Sequence, residues 1–355
     1  MKKGCPYGTH RVIEPKGVLP QPADVIDNTM EIYDNEVLID VKTLNIDSAS
    51  FTEIVRRTCD GKKPADIEGD VAEMEKVKET MKSIVAKAGK HKNPWTGSGG
   101  MLIGTVKEIG PAYVGDLKVG DKIATLVSLS LTPLVIEEIH EMRPTIDQVD
   151  ITGQAILFQS GIYAKLPDDM PEGLALSALD VAGAPAQAAK LSKPGETVLV
   201  IGGGGKSGLL CLYEAKKRVG VTGKVICAAG SQKSEDRARA LNLADEYFHM
   251  DAADAVGMYN KIMELTDGKL CDVVINCVNI ENTEMASILS CKDDGTVYFF
   301  SMATSFTKAA LGAEGVGKDV NMIVGNGYTK GHAEITLQVL REHEGIKKLF
   351  EEMYA

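Results

Sequence analysis

The sequence predicts an α/β protein in which a doubly wound parallel sheet follows a mostly antiparallel β domain. Three features point there. At 355 residues the chain exceeds what one core ordinarily serves. Its first half alternates short apolar segments with turn signals. After Lys193-Pro194-Gly195, continuous apolar segments alternate with amphipathic ones, the rhythm of strands joined by crossover helices.

In the first half, residues 37–41 (Val-Leu-Ile-Asp-Val) and 102–106 (Leu-Ile-Gly-Thr-Val) read as strands, punctuated by Gly110-Pro111 and Val119-Gly120-Asp121. One segment differs. From Ile67 through Val71, Met74, Val77, Met81, Ile84, Val85 and Ala88, apolar residues recur at steps of three and four, and Gly89 closes the run, which predicts an amphipathic helix. Its stripe serves either ordinary packing or the lining of a substrate cleft, packing being commoner. In the second half, strands are expected at 197–201, 224–229, 272–277, 296–301 and 320–324, with helices near 208–219 and 234–241.

Composition narrows the function. With 44% hydrophobic and 25% charged residues the chain is ordinary for a globular protein. A net charge of −11 and a pI near 5.2 argue against nucleic acid, which selects basic surfaces, and mildly favour cationic small molecules, simple solubility being the commoner reason for such a charge. No stretch reaches the roughly 18–20 apolar residues of a membrane helix, and no apolar run follows the basic opening Met1-Lys2-Lys3, so neither a membrane partner nor a signal peptide is expected. The seven cysteines are scattered, with no Cys-x-x-Cys pair and no His/Cys cluster at metal-ligand spacing. Cys211, Cys227, Cys271 and Cys277 sit in apolar runs, where a thiol acts as a small hydrophobe. A reduced, cytoplasmic protein without disulfides is expected.

Residues 197–201 run directly into Gly202-Gly203-Gly204-Gly205-Lys206-Ser207-Gly208. Gly203, Gly205 and Gly208 fit Gly-x-Gly-x-x-Gly between a strand and a helix, the dinucleotide fingerprint of a Rossmann sheet. Glycine permits the sharp turn and lets a pyrophosphate reach the amides, while the helix N-terminus favours negative charge. Expected cofactor contacts are Gly203, Gly204, Gly205, Lys206, Ser207 and Gly208, with Val278 and Ser301 at the ends of later strands. An NAD site usually carries an acidic residue at the end of the second strand. Here residues 227–233 read Cys-Ala-Ala-Gly-Ser-Gln-Lys, and Ser231 and Lys233 offer donors to a 2′-phosphate. That points to NADP, or to tolerance of both NAD and NADP; the plainer alternative makes Lys233 a solvated loop lysine.

In order and spacing these pieces resemble the medium-chain dehydrogenase/reductase family. Residues 37–46 are similar to its first core strand, 104–110 (Gly-Thr-Val-Lys-Glu-Ile-Gly) to its Gly-x-Val-x-x-x-Gly segment, and 118–124 (Lys-Val-Gly-Asp-Lys-Ile-Ala) to its Val-Gly-Asp-x-Val turn. Residues 163–168 and 193–200 resemble the entry to its coenzyme domain. The resemblance implies a GroES-like catalytic domain over residues 1–179, a Rossmann domain over 180–327, and C-terminal helices over 328–355 returning to the catalytic domain. It also implies a homodimer or homotetramer joined near residues 320–324.

The departures bear on the chemistry. Zinc members of the family carry a cysteine just after the first strand, where this chain has Asp47, and a Gly-His-Glu where it has Gly99-Gly100-Met101. The four-cysteine lobe is absent too, so a zinc-free site is expected. The opening segment 7–22, the loop 97–100 and the four-glycine run are similar to zinc-free members that deaminate a diamino acid. That likeness implies reversible, NAD(P)-dependent oxidative deamination of a small cationic amino acid with release of ammonia. A zinc-free quinone or enoyl reductase is the nearest alternative, and a dinucleotide-binding sensor without hydride transfer a remoter one.

Hydride leaves a carbon only when its nitrogen has a lone pair, so a base must first deprotonate the substrate ammonium. Substrates of this fold meet the carboxyl ends of the strands, between the domains. Glu314, the sole carboxylate of residues 309–315, is the leading base, and Asp47 the second; Asp47 equally suits a ribose contact or a turn cap. Arg11 is expected to grip the substrate carboxylate through two parallel hydrogen bonds, with Tyr7 and His10 beside it. Trp95 either walls the cleft or packs.

Overall fold

Strands that bury one face alternate inward and outward residues, and Gln148–Leu157 does so for most of its length. The computed structural model describes residues 1–301, 303–325 and 327–354, and the chain separates into two units, Met1–Asp168 and Asp169–Ala355.

The first unit holds β1 (Val12–Glu14), β2 (Val25–Ile26), β3 (Val37–Asn45), α1 (Ser48–Thr58), α2 (Val71–Ala88), β4 (Met101–Ile109), β5 (Lys122–Thr125), β6 (Leu134–Arg143), β7 (Gln148–Leu157) and β8 (Tyr163–Lys165). β1 and β2 pair as a ribbon, and the main sheet runs β6-β7-β3-β4-β5-β8 with antiparallel pairings throughout. Its core gathers Ile39, Leu44, Leu102 and Val149 from the sheet with Phe51 and Ile54 from α1.

The helix expected from Ile67 begins four residues later. Gly69 takes a left-handed φ of 78° that interrupts the coil, and the Asp70 carboxylate caps the new start by accepting from Glu73 N. Gly89, at φ 74°, ends it as expected. Val77, Met81 and Val85 lie at successive four-residue steps on the buried face and join the sheet core, so the apolar stripe is packing.

The second unit contains α3 (Glu172–Leu179), α4 (Gly183–Leu191), β9 (Thr197–Ile201), α5 (Lys206–Val219), β10 (Lys224–Ala229), α6 (Gln232–Ala240), β11 (Glu246–His249), α7 (Ala255–Leu265), β12 (Cys271–Asn276), α8 (Glu284–Ser290), β13 (Cys291–Phe299), α9 (Phe306–Val316), β14 (Asn321–Val324), α10 (His332–Glu342) and α11 (Glu344–Met353). The sheet order is β11-β10-β9-β12-β13-β14, with parallel pairings. This is the doubly wound order whose direction of growth switches beside its first strand, here β9. β9 and β10 bury almost every residue because helices cover both faces. The short β11 gave no clear apolar signal, since Phe248 is its one buried residue. α10 packs on α3, α4 and α5, and Arg341 grips Asp169 at 2.7 and 3.1 Å.

Among the described residues no helix is long and apolar enough to cross a membrane. All seven cysteines are free thiols, and Cys59, Cys211, Cys227, Cys271 and Cys291 are buried. Burial raises each of these thiols, Cys59 to about 11 and Cys227 and Cys291 to about 12.

Replacing Met81, fully buried under the sheet, by Ala should cost about 2–5 kcal/mol. Chemical denaturation would read this as a lower midpoint at unchanged slope.

Candidate functional site

The glycine run behaves as a cradle. Gly202 turns the chain at φ 85°. A Cβ on Gly203 would lie 2.5 Å from Cys227 Sγ, one on Gly204 2.1 Å from Ser234 O, and one on Gly208 2.1 Å from Gly202 O. These three positions therefore admit no side chain. Gly205 differs: a Cβ there would meet only Gly202 O, at 3.3 Å, so space is left open beside the helix start. Gly205 is the N-cap of α5 and supplies no side-chain cap. The first amides of α5 thus face that opening, as anion recognition requires.

Around the cradle lie residues expected from the sequence and others that were not. Ser207 and Ser301 are nearly buried, and Ser301 Oγ accepts from Ala303 N at 3.1 Å. Val278 N donates to Asn276 Oδ1 at 3.0 Å. Asn276, buried and overlooked, donates in turn to Thr283 Oγ1 and Ser287 Oγ, both at 2.9 Å, which fixes the end of β12. Lys206 pairs with Asp180 at 2.9 Å. Ser231 caps α6 by accepting from Ser234 N, and Lys233 is exposed. Arg237, also overlooked, donates from Nη1 to Gly204 O at 2.8 Å and steadies the loop from α6. A hollow of about 180 Å³ opens at the ends of β9, β10 and β12, lined by Ile201, Gly202, Ala229, Asp251, Val278 and Ile280 among others. Its apolar walls and adjoining anion cradle fit a dinucleotide.

In the first unit, Asp47 is the N-cap of α1: Oδ1 accepts from Ser50 N at 2.9 Å and Oδ2 from Ser98 Oγ at 2.5 Å. Ser98 is delivered by a turn wound on Asn93, a buried residue. Asn93 Oδ1 accepts from Trp95 N and Thr96 N, its Nδ2 donates to Ser50 O, and its backbone N donates to Ser98 O. Gly100 sits at φ 102°, and a Cβ there would lie 2.1 Å from Asn45 O. Trp95 is partly exposed, with the Arg57 guanidinium 4.9 Å from its ring centre.

His91 was not anticipated by the sequence reading. It is fully buried, neither ring nitrogen has a partner among the described residues, and the charge of Asp47 acts on it. Burial pushes its pKa down to about 4 although Asp47 pulls the other way, so the ring is neutral at pH 7. Nothing in its neighbourhood in the sequence distinguishes it from a packing histidine.

Two expectations are corrected. Glu314 is exposed on the last turn of α9. A crossover helix runs against its strands, so its end lies at their amino edge, opposite to the ligand edge. The residues that follow show it: Lys318 Nζ donates to the carbonyl of Cys291, the first residue of β13, and Asp294 N donates to Asp319 O. Arg11 is likewise committed elsewhere. Its side chain is buried, Nε and Nη2 bond the two Glu36 oxygens at 2.7 Å, and the remaining donors meet the carbonyls of Asp27, Thr29 and Glu31. All five N–H groups are used, leaving none for a substrate carboxylate. His10 joins this cluster, with Nδ1 accepting from Cys5 N and Nε2 donating to Glu36 at 2.8 Å. Burial drives Glu36 upward, but Arg11 and His10 more than offset it and hold the carboxyl at about 2. Tyr7 is exposed.

Among the described residues no group of three or more His, Cys, Asp or Glu side chains could hold a metal ion, and positions 99–101 carry Gly, Gly and Met.

Residues 10–167 match the family described as the L-erythro-3,5-diaminohexanoate dehydrogenase N-terminal domain. Residues 208–325 match a family described as zinc-binding dehydrogenase. The chain is 59% identical over 354 residues to the L-erythro-3,5-diaminohexanoate dehydrogenase of Acetoanaerobium sticklandii, covering 99% of each. It is 59% identical over 356 residues to that of Fusobacterium nucleatum, covering 100% of each. Among solved structures, a mycobacterial quinone oxidoreductase superposes with a TM-score of 0.50 at 17% identity, over 93% of this chain and 86% of that one. The CurK enoyl reductase gives 0.51 at 17%, over 96% and 85%. Both share the fold.

Two measurements check the polar interior. Arg11→Met strands the buried Glu36 carboxylate and should cost about 3–5 kcal/mol at pH 7 by chemical denaturation. For His91, the unfolded chain binds a proton below about pH 6.5 while the folded chain resists until about 4. Its contribution to stability is therefore lost as pH falls through that window, by up to about 1.4 kcal/mol per pH unit. Denaturation midpoints of His91→Phe between pH 7 and 4.5 should show a shallower acid slope than the parent; an unchanged slope rejects the assignment.

Proposed function

The chain belongs to the L-erythro-3,5-diaminohexanoate dehydrogenase family, and on that footing we propose that it catalyses the reversible NAD(P)-dependent oxidative deamination of L-erythro-3,5-diaminohexanoate to 5-amino-3-oxohexanoate and ammonia, a step of anaerobic lysine fermentation. The observation that carries the reading is the open, uncapped start of α5 at Gly205, in a chain 59% identical over its length to enzymes of that name. A nicotinamide dinucleotide held there supplies the hydride acceptor. Gly203, Gly204, Gly205 and the first amides of α5 hold its pyrophosphate, and Val278 and Ser301 flank the route to its reactive end.

We assign the base to Asp47. Glu314 stands at the wrong edge of its sheet, whereas Asp47 is a half-buried carboxylate held by two hydrogen bonds. It takes a proton from the substrate ammonium, which frees the nitrogen lone pair to drive hydride departure. Water then adds to the carbon and ammonia leaves. No metal is needed for this sequence. The lack of a carboxylate over residues 228–233, with Ser231 and Lys233 in its place, supports NADP as the preferred partner, NAD being tolerated. The net charge of −11 suits a cationic substrate. We further propose a reduced, cytoplasmic enzyme, a homodimer or homotetramer joined along β14, whose Met322 and Val324 are exposed on a sheet edge.

The test is an absorbance assay of the reduced cofactor with 3,5-diaminohexanoate and NAD or NADP. Turnover with both cofactors is expected, faster with NADP; no turnover with either rejects the assignment. In reverse, the rate should depend on ammonia, which a quinone or enoyl reductase would ignore. Asp47→Asn should lower kcat by about 10²-fold or more while cofactor affinity stays near the parent value. Full activity in that variant would remove Asp47 from the mechanism.

A further inference from the structure

Oxidative deamination of an ammonium substrate releases one proton to solvent per turnover: the protonated amine, water and the oxidised dinucleotide give the ketone, an ammonium ion, the reduced dinucleotide and a proton. A carboxylate that takes this proton must discharge it before the next cycle. Asp47 is half-buried, and three hydroxyl oxygens lead away from it.

Ser98 Oγ lies 2.5 Å from Asp47 Oδ2, Ser50 Oγ 2.9 Å from Ser98 Oγ, and Thr96 Oγ1 2.5 Å from Ser50 Oγ and, at a longer 3.5 Å, from Ser98 Oγ itself. Each hydroxyl has one proton to give. With Asp47 ionised, Ser98 gives its proton to the carboxylate, so its oxygen must accept from Ser50. Ser50 is then spent as a donor and must accept from Thr96. Donors thus point inward in series from a residue at the surface. Thr96 is exposed, Ser98 half-buried and Ser50 fully buried. The Asn93 turn holds Thr96 and Ser98 on one side and Ser50 on the other, so the series is fixed at both flanks. The charge of Asp47 also acts on His91, buried with both ring nitrogens unpartnered among the described residues. Burial holds that ring neutral, so it does not retain the proton.

We propose that Ser98, Ser50 and Thr96 form a hydroxyl relay that carries the proton taken by Asp47 to solvent. Once protonated, the carboxyl becomes a donor to Ser98. The three hydroxyls turn over so that each donates outward, and the proton passes from Asp47 through Ser98 and Ser50 to Thr96 and water. One O–H bond breaks and one forms at each oxygen, and the carboxylate is restored. In the amine-forming direction the series runs inward as it stands. The relay rests on Asp47 being the base.

The experiment uses the full chain with NADP and 3,5-diaminohexanoate, and compares Ser50→Ala, Ser50→Thr and Thr96→Val with the parent. Ser50→Ala should lower kcat roughly 10- to 100-fold, within the range of proton-transfer catalysis, with KM for both substrates nearly unchanged. Added imidazole buffer should restore much of the loss, and the solvent deuterium effect on kcat should rise. Ser50→Thr, which keeps the hydroxyl, should recover activity. Thr96→Val, cut at the exposed end, should shift kcat and buffer response in the same direction and decides the matter if Ser50→Ala does not fold. Parent-like kcat, or a loss that buffer does not relieve, overturns the relay. An active Asp47→Asn variant would instead overturn the base assignment beneath it.

Discussion

At Gly100 the chain passes so close to the end of β3 that one carbon atom would not fit, since a Cβ there would stand 2.1 Å from Asn45 O and 2.8 Å from Asp47 N. Much of the first unit's chemistry follows from that passage. It brings the turn wound on Asn93 against the start of α1, so that Ser98 reaches the carboxylate that caps the helix. Asp47 therefore follows a strand, starts a helix and receives two hydrogen bonds. A glycine is demanded at position 100 by steric contact and a φ of 102°, not by flexibility.

The second unit obeys a different constraint. Its glycines are crowded from behind: Gly203 by a cysteine of β10, Gly204 by α6, Gly208 by the turn itself. Crowding on one side and openness at Gly205 on the other give the loop a defined front. Arg237 and Asn276 fix that front from two directions, one bonding a loop carbonyl and the other the end of β12. The cradle is thus shaped by its own packing and hydrogen bonds, an arrangement that lowers the ordering cost of binding.

Much of this was legible in the sequence. Buried parallel strands write themselves as apolar runs, and β9, β10 and β12 fall within a residue of their expected bounds. The glycine spacing revealed the cradle because the turn and the helix start it serves lie together within residues 202–208. The polar sites were less readable. Glu314 has the right chemistry beside the right strand, yet a helix of eleven residues carries it to the opposite edge. Arg11 looked like a ligand for an external carboxylate and instead holds an internal one 25 residues away. His91, Asn93 and Ser50 carried no signal. The bonds that join Ser50 to Asn93 and Thr96 span 43 and 46 residues of chain, and such contacts leave no local pattern. Asp47 was legible as a substitution against a family pattern and as a cap, the role it takes at the start of α1; its bond from Ser98 was not.

The buried thiols carry a consequence for the protein's chemistry. Five cysteines are shut inside the two cores with their protons held more firmly than usual. Sulfur is nucleophilic only as thiolate, so in these positions it is inert filler, larger than a methyl group and more polarisable. Electrophiles and disulfides in solution are expected to react slowly there. Thiol chemistry of the folded chain is therefore expected first at the more accessible Cys5 and Cys277, the latter with its sulfur 3.8 Å from that of buried Cys211.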